Sequence, residues 1–159
     1  MSNPVIRVAD PDDKAALGRL GAMLVEEHYG FDRLRFLAPT ADLPERYGEF
    51  LIGHAASDDK FVLVAEVDGH IAGYIFAGVE GVDYMMLRGP AGNLYDLLVD
   101  PAFRRRGVGR KLMEAALDEL RRRGLHQAVL FTADKNANAQ QLFSAVGFRR
   151  TMLEMTIEL

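Results

Sequence analysis

Hydrophobic positions along the chain fall into two patterns, short apolar runs typical of strands and longer stretches with a helical period. The strand-type runs cover residues 5–9, 61–67, 71–77, 94–99 and 128–132. Apolar residues recur every three to four positions, which predicts helices, over residues 10–30, 44–54, 107–123 and 136–146. Two closing strands are expected at 148–151 and 155–159. This order of elements predicts a mixed sheet with helices on its faces.

Turn-forming residues mark several of the predicted boundaries. Asp68-Gly69 lies between two apolar strand-type runs, which is a strong hairpin signal. Gly147 is a natural stop for the last helix. Residues 78–93 contain four glycines and a proline, so they are predicted to form an irregular loop with a strand extension at 84–87.

Length and composition narrow the class of protein. A chain of 159 residues is typical of one domain, and a single domain over residues 1–159 is predicted. The chain has no cysteine, which excludes disulfides, thiolate metal sites and a cysteine nucleophile. No apolar run is long enough to span a membrane, and residues 1–4 do not resemble a signal peptide. A cytoplasmic location without membrane contact is therefore expected.

Charge is distributed unevenly along the chain. The formal net charge is −4, from 19 basic and 23 acidic side chains, whereas nucleic-acid binders usually carry a basic surface. Five basic side chains nevertheless cluster between Arg104 and Lys111. This pattern indicates a small anionic ligand and predicts no nucleic-acid partner. The four histidines are scattered without the spacing of metal ligands, so no metal site is predicted.

The basic cluster lies in a stretch, residues 94–113, that runs from a strand through a tight loop into a helix. A helix start exposes unpaired backbone N–H groups and carries partial positive charge. Gly107 and Gly109 remove the Cβ atoms that would keep an anion away from this backbone. The stretch therefore predicts a binding site for a pyrophosphate group. Its pattern, Arg104-x-x-Gly107-x-Gly109, matches neither a P-loop nor a dinucleotide-binding fingerprint.

Two sequence blocks carry a more specific signal. The first covers residues 97–111, and the second reads Asn136-x-x-Ala139-x-x-x-Phe143-x-x-x-Gly147-Phe148. In this order, with a strand between them, they resemble the two blocks of the GNAT superfamily of N-acetyltransferases, and the resemblance covers the chain from the first strand to the last. It implies an α/β (α+β) fold with a mixed, mostly antiparallel sheet of six to seven strands. Helices would cover both faces, and the central strands would splay to admit acetyl-CoA.

The resemblance also implies how acetyl-CoA, the expected cosubstrate, is held. Backbone N–H groups of the loop would bind the CoA pyrophosphate, and the preceding strand would lie along the pantetheine arm, since an extended arm can pair with a strand edge. An asparagine of the last helix would also contact the cofactor. Carried over to this chain, the cofactor-binding residues are Leu97, Leu98, Val99, Arg104, Arg105, Arg106, Gly107, Val108, Gly109, Arg110, Asn136, Asn138 and Phe143.

The implied reaction is direct attack of a substrate amine on the acetyl thioester. A backbone N–H near Leu98 is expected to stabilise the oxyanion, which typically contributes about 10² to 10³ in rate. Asp96 is a candidate base because a carboxylate in an apolar strand needs a cleft or a partner, and Glu66, near the hairpin turn, is another. The second block often has a tyrosine as proton donor to the thiolate where this chain has Phe143. Three cases are then expected: Tyr95 protonates the thiolate, water protonates it, or activity is low.

Two functions stay open at this point. The first is acetyl-CoA-dependent transfer of an acetyl group to a primary amine of a small molecule or protein. The second is a non-catalytic acyl-CoA-binding or sensor module of the same fold, which Phe143 suggests. The acceptor is expected to be selected by residues 28–54 and 78–93, with His28-Tyr29 a candidate contact. A homodimer is common in the family, and the oligomeric state is left open.

Overall fold

The computed structural model describes residues 2–159 and contains a five-stranded sheet and four α-helices. The strands are β1 (Val5–Val8), β2 (Lys60–Val67), β3 (His70–Glu80), β4 (Ala91–Val99) and β5 (Ala128–Leu130). The helices are α1 (Lys14–Phe31), α2 (Leu43–His54), α3 (Val108–Arg122) and α4 (Ala137–Val146). No described helix has both the length and the apolar character needed to cross a membrane.

The strands lie in the order β1-β2-β3-β4-β5, and every neighbouring pair is antiparallel except β4 and β5. The predicted mixed, mostly antiparallel sheet is therefore confirmed. The predicted hairpin joins β2 to β3 through Asp68 and Gly69, whose φ angles of 50° and 78° suit the tight turn between twisted strands. The parallel pair is joined by α3, because parallel strands require a crossover connection.

Helices cover both faces of the sheet, as predicted. On one face α3 and α4 pack over a core that contains Ile75 and Leu112. On the other face α1 and α2 pack over a core that contains Leu17 and Leu51. The middle strands are buried on both faces, so their sequences read as continuous apolar runs rather than as an alternating pattern.

Close packing between α1 and α2 places a tyrosine above the sheet. A Cβ at Gly21 of α1 would lie 2.1 Å from the Tyr47 ring of α2, and a Cβ at Gly18 would lie 2.0 Å from the Pro44 carbonyl oxygen. Only glycine fits at these two positions, since real Cβ atoms do not approach other atoms so closely. The Tyr47 hydroxyl thereby reaches β4, where it contacts Asp96.

The predicted number of strands is wrong, because residues 149–159 form no strand. The alternating pattern of this segment satisfies the side-chain requirement of a strand, but a strand also needs a neighbour for its backbone hydrogen bonds. The segment finds no such neighbour among residues 2–159.

The predicted strand extension at residues 84–87 is also wrong. The Asp83 side chain accepts hydrogen bonds from the Met85 and Met86 N–H groups at 2.9 and 3.1 Å. Asp83 and Arg88 also pair with each other through their backbones, so the six residues close into a turn. Side-chain capping of local N–H groups competes successfully with strand formation here.

Candidate active site

A cavity of about 390 Å³ opens where β4 and β5 part. The two strands share only three residue pairs, Gly92–Leu94 with Ala128–Leu130, whereas β4 stays paired to β3 as far as Val99. The β4 edge from Tyr95 onward is therefore open toward the cavity. The cavity walls come from α1 and its following loop, β4, α3, β5 and α4. The parting of the two strands matches the predicted splay.

A bulge in β4 brings two polar side chains to the same side of the sheet. Phe76 pairs with Asp96 and Ala77 pairs with Leu94, so Tyr95 is an extra residue in β4. A bulge of this kind interrupts the alternation of side chains. As a result, Tyr95 and Asp96 both lie on the face covered by α1 and α2.

Asp96 is held by two tyrosine hydroxyls. Tyr47 Oη donates a hydrogen bond to Asp96 Oδ2 at 2.6 Å, and Tyr74 Oη donates to the same oxygen at 3.2 Å. Desolvation raises the pKa of the Asp96 carboxyl above its ordinary value, and the two hydroxyl bonds oppose only part of that rise. Both hydroxyls bond Oδ2, and neither bonds Oδ1. A carboxylate with a raised pKa is a stronger base than an exposed one.

A second, more open cavity lies on the other side of Asp96 and is lined mainly by aromatic rings. Phe76 is at its centre, with its ring centroid 5.5 Å from that of Phe50, 5.7 Å from that of His54 and 4.8 Å from that of Tyr95. We call this second cavity the aromatic groove; its lining also includes Tyr47, Asp59, Lys60, Val79, Glu80, Gly81 and Asp96. Tyr95 and Asp96 line both cavities, so these two residues mark the junction between them.

The Tyr95 hydroxyl belongs to a charged hydrogen-bond network at the rim of the aromatic groove. It donates to Glu80 Oε1 at 2.9 Å, and Arg88 Nη2 donates to Glu80 Oε2 at 2.6 Å. Burial, together with the Glu80 carboxylate, raises the pKa of Tyr95. Tyr95 is therefore protonated at neutral pH, and its hydroxyl points at a fixed partner.

The loop before α3 has the backbone geometry expected of an anion site. Arg105 and Gly107 adopt left-handed φ angles of 63° and 77°, which turn the chain sharply into the helix. Because the N-cap residue is Gly107, the helix has no N-cap side chain to bond its first N–H groups, and intrahelical bonding begins at Lys111. Free N–H groups at a helix start favour phosphate binding.

Two arginines, Arg104 in this loop and Arg110 in the first turn of α3, bond to neighbouring parts of the fold. Arg104 Nε donates to the Val99 carbonyl oxygen at 2.9 Å and its guanidinium forms an ion pair with Glu27 at 3.3 Å. Arg110 Nη2 donates to the Ala145 carbonyl oxygen at 3.2 Å, which links α3 to the end of α4. These contacts fix the loop against both strands and helices around the cavity.

A family model described as the acetyltransferase (GNAT) family matches residues 23–148 of this chain. The chain belongs to this acetyltransferase family. An uncharacterized N-acetyltransferase from Archaeoglobus fulgidus is 30% identical over 145 residues, which cover 91% of this chain and 92% of the relative. The family resemblance predicted from the two sequence blocks is thereby confirmed.

More distant similarities cover parts of larger proteins or the fold alone. A mycothiol acetyltransferase from Thermobispora bispora is 36% identical over 102 residues, which cover 62% of this chain and 33% of that protein, so the chain spans about a third of its length. A Bacillus halodurans protein superposes with a TM-score of 0.82 at 22% identity, covering 98% of this chain and 99% of that structure. An aminoglycoside N-acetyltransferase in complex with CoA superposes with a TM-score of 0.77 at 22% identity, covering 100% of this chain and 96% of that chain.

The predicted cofactor-binding residues of the two family blocks fall into different environments. Leu97 and Phe143 line the cavity between β4 and β5, as does Asn136. The Asn136 side chain also caps α4 by accepting a hydrogen bond from the Ala139 N–H at 3.2 Å. Asn138 is exposed and is not part of the cavity wall.

The two glycines of the loop serve different purposes. Gly107 faces open space, and its positive φ is the feature that requires glycine. A Cβ at Gly109 would instead lie 3.1 Å from the Leu142 side chain and 3.5 Å from that of Val99. The absence of a side chain at Gly109 thus eases the packing of α3 against Leu142 of α4.

The structure separates the two candidate bases. Asp96 lies at the junction of the two cavities, whereas Glu66 on β2 forms an ion pair with Arg7 at 3.1 Å. Arg7 also forms an ion pair with Asp13, and the hydrogen bond from Arg7 lowers the pKa of the Asp13 carboxyl. Glu66 lines neither cavity and belongs to a cluster that joins β1, β2 and the turn before α1.

Sequence reasoning did not assign Tyr47 and Glu80 to the site. Tyr47 reads as one of several aromatic residues on a helix face, and its contact with Asp96 depends on the glycines of α1. A carboxylate in an apolar strand requires donors, which is the only signal that points toward a tyrosine.

His28, considered at the end of α1, lines the cavity, and its Nδ1 lies 2.8 Å from the Leu24 carbonyl oxygen. Residues 2–159 contain no cluster of three or more acidic or histidine side chains arranged to hold a metal ion.

Proposed function

We propose that the protein is an acetyl-CoA-dependent N-acetyltransferase that acts on primary amines at the junction of the two cavities. The observation that carries this proposal is the position of Asp96. Its carboxylate has a raised pKa, is oriented by Tyr47 and Tyr74, and faces both the cavity beside β4 and the aromatic groove. One substrate can therefore enter from each side and meet the other at the base.

Acetyl-CoA fits the cavity between β4 and β5. The free N–H groups at the start of α3 suit its pyrophosphate, and Gly107 permits the backbone turn that exposes them. The open β4 edge offers backbone donors and acceptors to the amide groups of the pantetheine arm. The Asp100 N–H donates to the Ala72 carbonyl oxygen of β3, and in the same antiparallel register the N–H of Leu98, opposite Tyr74, also points toward β3; the N–H groups of Leu97 and Val99 point toward the open edge and are the better proposed donors to the oxyanion.

The amine enters through the aromatic groove. Its neutral nitrogen attacks the carbonyl carbon of the thioester, and Asp96 accepts the proton that the nitrogen loses. Collapse of the tetrahedral intermediate breaks the C–S bond and releases the thiolate, which then takes up a proton. A positioned base of this kind contributes about 10² to 10⁴ in rate, and holding both substrates in place contributes about 7 to 11 kcal/mol.

Tyr95 is the proposed donor of the proton to the thiolate. Phe143 lines the cavity but has no acidic hydrogen, whereas Tyr95 lines both cavities and its hydroxyl is protonated. Its present partner is Glu80, 2.9 Å away, so this hydrogen bond must break before the hydroxyl can donate to a sulfur atom.

The lining of the aromatic groove supports a cationic acceptor with an apolar or aromatic body. The faces of Phe50, Phe76 and Tyr95 attract cations, whereas the two rim carboxylates are already paired, Asp59 with Lys60 at 3.0 Å and Glu80 with Arg88 at 2.6 Å. Such a groove suits an ammonium group on a small molecule or on an exposed peptide terminus or lysine.

Two measurements test the proposed function together. Isothermal titration should detect acetyl-CoA and CoA binding, and mass spectrometry of reactions with a panel of aryl- and alkylamines should detect an N-acetylated product. Binding without any product, over amines of both kinds and over peptides, would contradict the catalytic proposal.

A non-catalytic acyl-CoA-binding module is the second candidate. The observation that favours it is Phe143, because a phenylalanine on the α4 wall of the cavity cannot donate a proton. It predicts tight acetyl-CoA binding that is insensitive to Asp96→Asn, and thioester hydrolysis no faster than the uncatalysed rate.

A further inference from the structure

The turn between β3 and β4 presents a cluster of large apolar side chains to solvent. Val82, Tyr84, Met85 and Leu87 are 60%, 85%, 91% and 91% exposed. We call these four residues the apolar turn. Large apolar side chains that are scattered singly over a surface are ordinary, whereas a cluster of them marks an interaction surface.

Hydrogen bonds hold the apolar turn in one conformation. The backbones of Asp83 and Arg88 bond each other in both directions at 2.9 Å, and Arg88 Nη2 donates to Glu80 Oε2 at 2.6 Å. Leu87 has a φ of 52°, a left-handed conformation that leucine rarely adopts and that persists only where the surrounding structure imposes it. The apolar side chains are therefore presented by a fixed turn rather than by a loose loop.

The outer edge of β3 is open between the aromatic groove and the apolar turn. Pairing with β2 ends where Gly78 lies opposite Lys60, and the last bond on this side runs from the Val79 N–H to the Asp59 carbonyl oxygen at 2.6 Å. The Gly81 N–H bonds no atom of residues 2–159. A Cβ at Gly81 would meet nothing within 4 Å, so another chain can approach this backbone closely.

The aromatic groove leads from Asp96 to this open edge. Phe76 lies opposite Asp96 in the sheet, and Glu80 and Gly81 line the other end of the groove. Gly81 is five positions beyond Phe76, which corresponds to about 17 Å of extended chain. A polypeptide whose amino group lies at Asp96 would thus reach the open edge with about its fifth residue and the apolar turn with the residues that follow.

The charges around this end of the groove favour a peptide amino terminus over a lipid surface. Residues 57–60 and 78–93 together carry four acidic and two basic side chains. The two basic ones, Lys60 and Arg88, are both held in ion pairs. Anionic membranes attract clusters of lysine and arginine, and this surface has a surplus of negative charge instead. A positively charged amino terminus complements that surplus.

We propose that the open β3 edge and the apolar turn bind the polypeptide that carries the acceptor amine at its amino terminus. The polypeptide adds to the edge as a short strand, and its apolar side chains then pack on the turn. In this mode of binding, backbone hydrogen bonds supply affinity and the side-chain contacts supply specificity. The inference rests on the proposed function in so far as the amino group must reach Asp96, whereas docking of the polypeptide can be measured without catalysis.

Acetylation kinetics at saturating acetyl-CoA test the apolar turn with two peptides. A tripeptide is compared with a nonapeptide that shares its first three residues and has leucine at its sixth to eighth positions. The KM of the nonapeptide should be at least about tenfold lower. Met85→Ser combined with Leu87→Asn should remove about that factor for the nonapeptide and leave the tripeptide unchanged within about twofold, since asparagine tolerates a positive φ. Equal KM values for the two peptides in the wild type would overturn the proposal.

The matched control is Leu153→Asn combined with Met155→Ser. These residues are 83% and 91% exposed, and they line neither cavity. The control should keep both KM values within about twofold of the wild type, because it removes similar apolar surface from another part of the chain. If it raises the KM of the nonapeptide as much as the variant of the apolar turn does, the effect belongs to general surface hydrophobicity and the proposal fails.

A scan of N-methyl groups along the nonapeptide tests whether it binds as a strand. One edge of a strand carries every second N–H group, so methylation at the fourth to seventh positions should weaken binding at alternate positions. Losses of about tenfold are expected at those positions, with little change between them. Losses of equal size at all four positions would contradict addition to the β3 edge.

Fluorescence anisotropy of a nonapeptide labelled at its carboxyl end, measured with CoA present, reports docking without catalysis. If the nonapeptide binds, and the variant of the apolar turn weakens binding about tenfold while no amine or peptide is acetylated, docking stands and the proposed function fails. If small amines are acetylated but the nonapeptide binds no better than the tripeptide, the proposed function stands and this inference fails.

Sedimentation with phospholipid vesicles tests the competing assignment of the apolar turn to a membrane. The wild type should stay in solution with vesicles of phosphatidylcholine, with or without phosphatidylserine. Sedimentation of the wild type that is lost in Met85→Ser combined with Leu87→Asn would assign the turn to a lipid surface and contradict the proposal.

Discussion

The two sides of the candidate site are built in different ways. The side proposed to bind the cofactor uses backbone atoms of one continuous stretch, the β4 edge, the loop at Arg105 and the start of α3. The aromatic groove uses side chains from α2, β3 and β4, and its orientation depends on the packing of α1 against α2. A backbone site tolerates many changes of side chain, whereas a side-chain groove can change its ligand with one substitution. The two sides meet only at Tyr95 and Asp96.

Asp96→Asn should have the largest effect, because it removes the base at the junction while keeping the size of the side chain. We expect kcat/KM to fall by about 10² to 10⁴, with acetyl-CoA affinity unchanged. The raised pKa of Asp96 means that wild-type activity falls as pH drops through a range above that of an ordinary aspartate, where the carboxylate takes up a proton. The variant should lack this acidic limb in its pH profile.

Asp59→Asn is the control for the loss of a carboxylate from the aromatic groove. Asp59 is exposed and bonded to Lys60 and Ser57, so its substitution should change kcat/KM by no more than about twofold. Equal losses in the two variants would mean that Asp96 acts through the general charge of the groove rather than as a base.

Gly107→Ala should weaken the cofactor side alone. A side chain at φ 77° costs about 1 to 2 kcal/mol, which corresponds to a loss of about 5- to 30-fold in acetyl-CoA affinity if the loop shifts to relieve the strain. Gly124→Ala is matched in its φ of 83° and in its open surroundings, but it lies at the other end of α3. Calorimetric titration should show normal acetyl-CoA affinity for Gly124→Ala; equal affinities in the two variants would argue against a role of the loop in binding.

Tyr47→Phe should disturb the aromatic side without affecting the cofactor side. The variant loses the 2.6 Å hydrogen bond to Asp96, and that bond holds the pKa of Asp96 down, so the acidic limb of the pH profile should move to higher pH. The lost hydrogen bond is worth about 1.4 kcal/mol, so kcat/KM should fall about tenfold at pH values below the shifted limb. Tyr74→Phe removes the longer bond of 3.2 Å and should shift the limb less. An unmoved limb in both variants would mean that another group titrates.

Phe143→Tyr tests whether the proton donor to the thiolate is missing. If Tyr95 does not reach the sulfur, an added hydroxyl in the cavity should raise kcat about tenfold or more without changing acetyl-CoA affinity. Unchanged kcat in Phe143→Tyr, combined with a loss in Tyr95→Phe, would assign the donor to Tyr95. Steady-state kinetics of both variants and of the double variant decide between the two cases.

Glu66→Gln should have the smallest effect. Its ion pair with Arg7 is partly exposed, and Arg7 keeps its bonds to Asp13, so the free energy of unfolding should fall by less than about 1 kcal/mol. kcat/KM should stay within about twofold of the wild type. A fall of a hundredfold without unfolding would return Glu66 to the list of bases.

Much of the fold was predictable because its signals are local. Asp68-Gly69 specifies the turn between β2 and β3 by backbone preference, and Gly147 ends α4 in the left-handed conformation with φ 117°. The strand count failed at residues 149–159, where the alternating pattern was correct but no strand edge among residues 2–159 accepted it. The turn at residues 84–87 failed because Asp83 bonds the following N–H groups, a competition that hydrophobicity does not report.

The sequence by itself determined the family, the hairpin turn at Asp68-Gly69 and the glycine-containing loop before α3, because each depends on residues within a few positions of one another. Only the tertiary structure decided which carboxylate belongs to the site. Burial raises the pKa of Asp96, whereas the hydrogen bonds from Tyr47 and Tyr74 orient its carboxylate and oppose part of that rise, and the first of these contacts requires that Gly21 admit the Tyr47 ring. Burial and hydrogen bonding between distant segments set the chemistry of a side chain, so the same residue type serves as an ion-pair partner at Glu66 and, we propose, as a base at Asp96.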